Sequence, residues 1–199
     1  MPGTTTNTAT TSSLGLTAAL ALVLSFATAA AAQETCRVRL DISPDYGGVK
    51  LDMTAGELSR MFPGSDELRA AAATGAGGAP VEVSLGMLDL NIRKEDFEGV
   101  RELSLAFSGG RLTKMGIHFG GATKWKSIAE FTEHVEKHLA LPRAWGEAVT
   151  AGGKQSRVME CSGFMVFAQY ARGGPVFLGL AKAEAGAKPT PAKPAATRH

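Results

Sequence analysis

The chain has 199 residues, 44% of them hydrophobic and 20% charged, with 21 Lys and Arg against 19 Asp and Glu. The positive excess belongs to the C-terminal end: residues 182–199 hold Lys182, Lys188, Lys193 and Arg198 against Glu184, leaving 17 basic and 18 acidic residues elsewhere. A folded part without a basic surplus has no electrostatic footprint for nucleic acid, and two cysteines without a Cys-x-x-Cys spacing make no thioredoxin-like redox pair.

No Lys, Arg, Asp or Glu precedes Glu34. Leu14 to Ala32 is apolar or small throughout, and its strongly apolar part, Leu14 to Phe26, has the length of a signal h-region. It ends in Ala30-Ala31-Ala32, an A-x-A cleavage pattern before Gln33. Residues 1–32 therefore read as a cleaved signal peptide. An uncleaved N-terminal anchor is the competing reading, because the n-region carries no Lys or Arg. Gln33, Glu34 and Thr35 before Cys36 are not the small apolar residues that a lipid-modified cysteine needs, and no twin-arginine pair precedes the apolar run. The expected location is periplasmic or extracellular, with no membrane span left after cleavage.

Residues 33–181 are long enough for one domain with its own core. Val38, Leu40 and Ile42 alternate as a short strand stopped by Pro44; Tyr46-Gly47-Gly48 is a turn, after which Val49 and Leu51 resume the alternation. Thr54 to Phe62 is a helix. Thr54 at the N-cap and Glu57 three residues on form a capping box, Met53 and Leu58 a staple, and Pro63-Gly64 the stop. Residues 65–80 open like a helix at Ser65 and finish in Gly and Ala, and they read as a connection rather than an element. Val81, Val83, Leu85 and Met87 alternate as a strand, and residues 89–99 are a polar connection with room for a helical turn near Phe97. Leu103–Phe107 and Met115–Phe119 flank Ser108-Gly109-Gly110 as a hairpin.

Ser127 and Glu130 repeat the capping-box spacing at a second helix, whose inner side is Ile128, Phe131, Val135 and Leu139 and which closes at Leu141-Pro142. Val158–Cys161 and Phe164–Tyr170 form a second hairpin about Ser162-Gly163, and Val176–Leu180 is a last strand. The Ala/Pro/Lys segment at 182–199 has no periodicity and reads as disordered. The expectation is an α+β fold, an antiparallel sheet with two main helices on one face. A helix followed by three strands, twice, also fits a tandem α-β-β-β repeat.

Leu51-Asp52-Met53-Thr54, Glu57-Leu58, Phe62-Pro63-Gly64, Leu105-Ala106-Phe107 and Gly109-Gly110-Arg111-Leu112 together resemble a pattern of small exported bacterial domains: L-G-M-(S/T), helix, Gly, then strand–turn–strand. The outer-membrane assembly lipoprotein family (SmpA/OmlA, BamE-like) and the β-lactamase inhibitor protein-like family share that layout. The resemblance spans residues 49–119, with a fainter echo in 127–180. It departs at Asp52, where the pattern has Gly, and in having no lipobox cysteine. It implies a non-enzymatic binding or scaffold role in the envelope, through a protein partner it does not identify.

An even cysteine count in an oxidising compartment predicts a Cys36–Cys161 disulfide; two unpaired thiols are the alternative. Glu130, His134 and His138 lie at i, i+4 and i+8 on one helix stripe. Two histidines at that spacing can hold zinc or copper, so an extracytoplasmic metal-binding protein is one alternative function. A wet helix flank with a Glu130–His134 pair is the plainer reading of the stripe. His118, between Ile117 and Phe119, faces away from both. No Gly-x-Ser-x-Gly or other nucleophile–base spacing is present, so a small hydrolase would need an unfamiliar site. The Gly-Gly pairs sit in no phosphate-binding motif, and no cofactor is expected. Trp125 and Trp145, flanking the second helix, read as packing residues.

Overall fold

The computed structural model describes residues 35–74, 79–120 and 124–183. The signal-peptide reading of residues 1–32 lies outside them, as does the segment from residue 184 on. The helices are α1 (Ala55–Met61), α2 (Asp66–Thr74), α3 (Met87–Leu90) and α4 (Ile128–Leu139). The strands are β1 (Val81–Gly86), β2 (Val100–Ser108), β3 (Arg111–Phe119), β4 (Val149–Ala151), β5 (Lys154–Cys161), β6 (Phe164–Ala171) and β7 (Val176–Lys182). They form one antiparallel sheet in the order β1-β2-β3-β7-β6-β5-β4. The fold is α+β.

Two meanders, β1–β3 and β4–β7, meet where their last strands pair, Met115 opposite Leu180 and Ile117 opposite Leu178. The halves are unequal. Two helices precede β1, a further helix separates β1 from β2, and four strands follow α4. A duplicated α-β-β-β unit is not what this order shows.

One sheet face carries the core. Val83, Leu85, Leu103, Leu105, Met115, Ile117, Leu178, Leu180, Val166 and Met159 are all buried. Leu58 and Phe62 (from α1 and its C-cap), Leu68 of α2, and Ile128, Phe131 and Val135 of α4 join the same apolar cluster. The alternation read from the sequence is thus the inward half of each strand.

Local chemistry sets the elements. At α1 the capping box is complete: Glu57 N–H donates to Thr54 Oγ1 at 3.2 Å, and Thr54 N–H donates to the Glu57 carboxylate at 2.7 Å. At α4 only half of it forms. Ser127 Oγ accepts from Glu130 N–H at 3.2 Å, while the Glu130 carboxylate accepts from Lys126 N–H at 2.8 Å instead of reaching the cap residue itself. The β2–β3 hairpin turns on Gly109 and Gly110, with φ of +58° and +73°, a pair of left-handed residues that glycine supplies without strain.

The structure corrects several boundaries. Residues 66–74 are a helix, not a connection: Ser65 Oγ accepts from Leu68 N–H, the alanine run favours helix, and Leu68 and Ala71 are buried. Val38–Ile42 is not a strand. Leu40–Ile42 is a 3-10 turn, Ile42 is 67% exposed, and the backbone meets the sheet region at the Arg39–Ser162 bridge and the Ser162 N–H to Val38 carbonyl bond, with Val38 and Leu40 packed against the core. The reason is that its backbone partner, Ser162, lies in the turn between β5 and β6, which offers no strand edge to extend along. Val49 closes a tight turn with Tyr46 rather than resuming a strand. The helical turns after β1 fall at 87–93, and Phe97 is instead a buried ring beside Tyr46 and Phe62. β4 has three exposed residues and no apolar alternation, so it leaves no signal in the sequence. β7 runs through Lys182, one residue into the stretch read as tail, because Lys182 pairs with Phe164 of β6; its Nζ also donates to Asp52 Oδ1 at 2.5 Å.

Cys36 and Cys161 are joined as a disulfide, their Cα atoms 4.6 Å apart across 125 residues. No helix of the described residues is long and apolar enough to cross a membrane.

Asp52 has φ +75°. This is a left-handed backbone that glycine adopts without strain and that Asp is one of the few other residues to tolerate. The bond from Lys182 holds the Asp52 carboxyl below its usual range, with Arg111 adding to it. A depressed folded value means that this contribution is present above the ordinary Asp range and is lost as pH falls through the folded value. Because the carboxylate is half exposed, the electrostatic part is small. Asp52→Ala is expected to cost about 1 kcal/mol through the left-handed backbone, and Asp52→Asn less; urea titrations of both at pH 7 and pH 3 check the ranking and its narrowing in acid.

Candidate binding face

Among the described residues, no helix packs on the second face of the sheet. Three rows of side chains cross it. The middle row runs Ser84, Ser104, Gly116, Gly179, Phe167, Val158 from β1 to β5. On one side of it lies Gly86, Glu102, His118, Phe177, Gln169, Ser156, Val149, and on the other Glu82, Ala106, Lys114, Ala181, Met165, Glu160. Phe167, Phe177, Met165 and Val158 are half-buried and Val149 is 62% exposed. The strands β5–β7 thus present apolar groups on both faces, whereas β1 and β2 present serine and glutamate here.

Two glycines shape the centre. A Cβ on Gly116 would lie 2.4 Å from Ser104 Oγ and 2.8 Å from the Phe177 ring, and one on Gly179 would lie 3.0 Å from the same ring. The Phe177 ring thus fills the space over both glycines, beside Ser104 Oγ at Gly116 and Phe167 at Gly179. Its ring also meets His118 at 4.8 Å and Phe167 at 6.0 Å between centroids. The result is a low aromatic ridge beside a polar strip.

His118 points onto this face, opposite to Ile117 and Phe119, as its sequence position predicts. Its Nε2 is 3.3 Å from Ser104 Oγ, and that hydroxyl is also 3.3 Å from the Gly116 carbonyl. This serine–histidine contact sits in the interior of the sheet, where β1, β3 and β7 flank both strands and their N–H groups serve the ladders. A pair of free donors for an oxyanion is not what such a position offers.

The sheet edges are guarded. On β1, Ser84 N–H donates to the Glu67 carboxylate of α2 and Gly86 N–H to Asp89 of α3, each at 3.1 Å. At the other side, β4 is only three residues long. Covered and short edges disfavour strand addition.

The histidine stripe lies elsewhere, beside the core face. His134 and His138 stack at 5.8 Å with 16° between planes; Trp125 lies 5.2 Å from His134 and Tyr46 5.0 Å from His138. These four rings line a cleft of about 320 Å³ with Glu95, Asp96, Glu98 and Lys124. Burial holds the His134 imidazole below its usual range, and the charges of Lys124, His138 and Lys137 act in the same direction. Burial also pushes the Tyr46 phenol up to about 12. Glu130 is engaged by Lys126 N–H, so the expected Glu130–His134 pair is replaced by a capping contact. Among the described residues, no group of three or more His, Cys, Asp or Glu side chains converges to hold a metal ion. The sequence missed the partners of the two histidines because Tyr46 arrives from far upstream. It also missed the open face, although the unbroken apolar run Phe164-Met165-Val166-Phe167 carried its signal: a half-covered strand needs apolar residues on one side only.

No family model, curated protein or solved structure matches the chain.

Proposed function

We propose that the chain is an exported binding module that engages a protein partner through the open face of its sheet. The observation that carries this reading is the Phe167–Phe177–Met165–Val158 ridge on a seven-stranded sheet whose described helices pack on the other side. Aromatic and Met side chains are enriched at the cores of protein interfaces, and an uncovered apolar face signals a partner. Export rests on the charge-free apolar N-terminal run and its A-x-A end, in keeping with the disulfide. The resemblance of residues 49–119 to small exported binding domains supports the same role.

The ridge variant Phe167→Ser/Phe177→Ser tests it. Both side chains are half-buried and outside the core cluster, so the variant is expected to keep the fold with a modest loss of stability. Affinity purification from the native compartment is expected to recover a specific protein with the wild-type chain and at least tenfold less of it with the variant. Equal recovery by both chains contradicts the reading.

A further inference from the structure

We propose that His134 and His138 are a two-point chelate for a borderline divalent transition-metal ion, zinc or copper(II), held at the cleft they share with Tyr46 and Trp125. The site is separate from the open sheet face and does not depend on the function proposed for it.

The geometry begins with the helix. Residues four apart on α4 lie one above the other, so both imidazoles leave the same flank. Here they are nearly parallel, with ring centroids 5.8 Å apart. An ion about 2.0–2.1 Å from one nitrogen of each ring spans centroids roughly 5–6 Å apart, so the spacing of the rings fits a bridge, and a rotation of one ring about its soft χ2 turns its nitrogen toward the other's. Their outer neighbours restrict them. Trp125 meets His134 and Tyr46 meets His138, both aromatic groups being more than nine-tenths buried. His134 is half-buried against Trp125, so part of the cost of ordering that ring is already met, while His138 is exposed and is oriented by its contact with Tyr46.

The surroundings give the ion its class. Imidazole suits zinc, copper and nickel and gives magnesium or calcium nothing, since those ions take oxygen ligands. The 95–98 loop brings Glu95, Asp96 and Glu98 to the same cleft. Asp96 is paired with Arg93, and Lys124 lies 5.6 Å over the Trp125 ring. With two protein ligands and, among the described residues, no third side chain converging on them, the remaining coordination positions fall to water. That makes an open, exchangeable site and not a buried structural one.

Equilibrium dialysis of the full chain against zinc chloride, copper(II) chloride and magnesium chloride tests the proposal. One equivalent of zinc or copper per chain and none of magnesium is expected. Copper is also expected to quench Trp125 fluorescence, because that ring touches His134. His134→Ala and His138→Gln are each expected to weaken binding at least tenfold, and the double variant to abolish it. A readout on the unaltered protein guards against variants that misfold: substoichiometric copper should broaden the NMR ring signals of His134 and His138 before those of His118 and His199. Absence of stoichiometric binding overturns the proposal. So does binding that survives in a folded double variant, or broadening that begins at His118 or His199.

Discussion

Replacing Cys36 and Cys161 by serine is expected to lower the unfolding free energy by about 2–4 kcal/mol and the melting temperature by roughly 5–15 °C. The bridge closes a loop of 125 residue steps, and in the unfolded chain that constraint removes conformations which the reduced chain regains. The native side of the balance points the same way. Residues 36–42 are not a strand of the sheet; one isolated bridge and one backbone hydrogen bond attach them to the Ser162 turn. Without the disulfide this segment keeps few backbone attachments to the sheet, and weakly attached segments open first. Cys36 itself is buried in the core cluster, so its loosening uncovers apolar surface. Denaturant titration of the double serine variant measures the cost. Hydrogen exchange should show residues 36–44 losing protection first, with the β2–β3 hairpin unaffected under native conditions. A loss below about 0.5 kcal/mol would mean that the N-terminal segment is held by packing alone.

Phe131→Ala is expected to be more damaging, by about 3–5 kcal/mol. Phe131 is fully buried on α4, with its ring 4.8 Å from Trp125 and 5.7 Å from Phe119. Phe119 ends β3 next to the junction between the two meanders, where it pairs with Val176. Removing the ring leaves a cavity at the point where helix, sheet centre and the entry to α4 meet. The two neighbouring aromatic rings are themselves constrained, so the site cannot collapse to fill the gap. Near-UV circular dichroism should lose intensity with Trp125, and urea unfolding should give the free energy. Phe131→Leu, which keeps most of the volume, is expected to cost under about 2 kcal/mol.

What the sequence made legible was local. The Gly109-Gly110 hairpin, the Thr54–Glu57 box and the stripe of α4 are each written within a dozen residues, and each formed as read. The disulfide was legible for a different reason: only one pairing is available to two cysteines, given export. What was not legible depends on distant chain segments. The pairing of β3 with β7 leaves no mark on either strand, since both alternate equally well against any partner. α2 was hidden by its glycine-rich exit, although its alanines favour helix. The half-box at α4 looked complete because the spacing of Ser127 and Glu130 is right; the carboxylate simply found a closer donor in Lys126. The outward residues of β6 and β7 read as ordinary strand apolars until the register placed Phe167 and Phe177 side by side on a face that no described element covers. In the same way His134 and His138 were visible as a pair, but their aromatic flanks and the facing 95–98 loop were not.

Site-directed photocrosslinking in the native compartment tests the open-face role most directly. A photoreactive phenylalanine analogue at Gln169 sits in the row of Phe177, on the open face. The same analogue at Lys137 sits on the exposed side of α4, across the sheet from it. Binding through the open face predicts a discrete protein adduct from position 169 and none of that mass from position 137. No adduct at 169, or the same adduct from both positions, would contradict it.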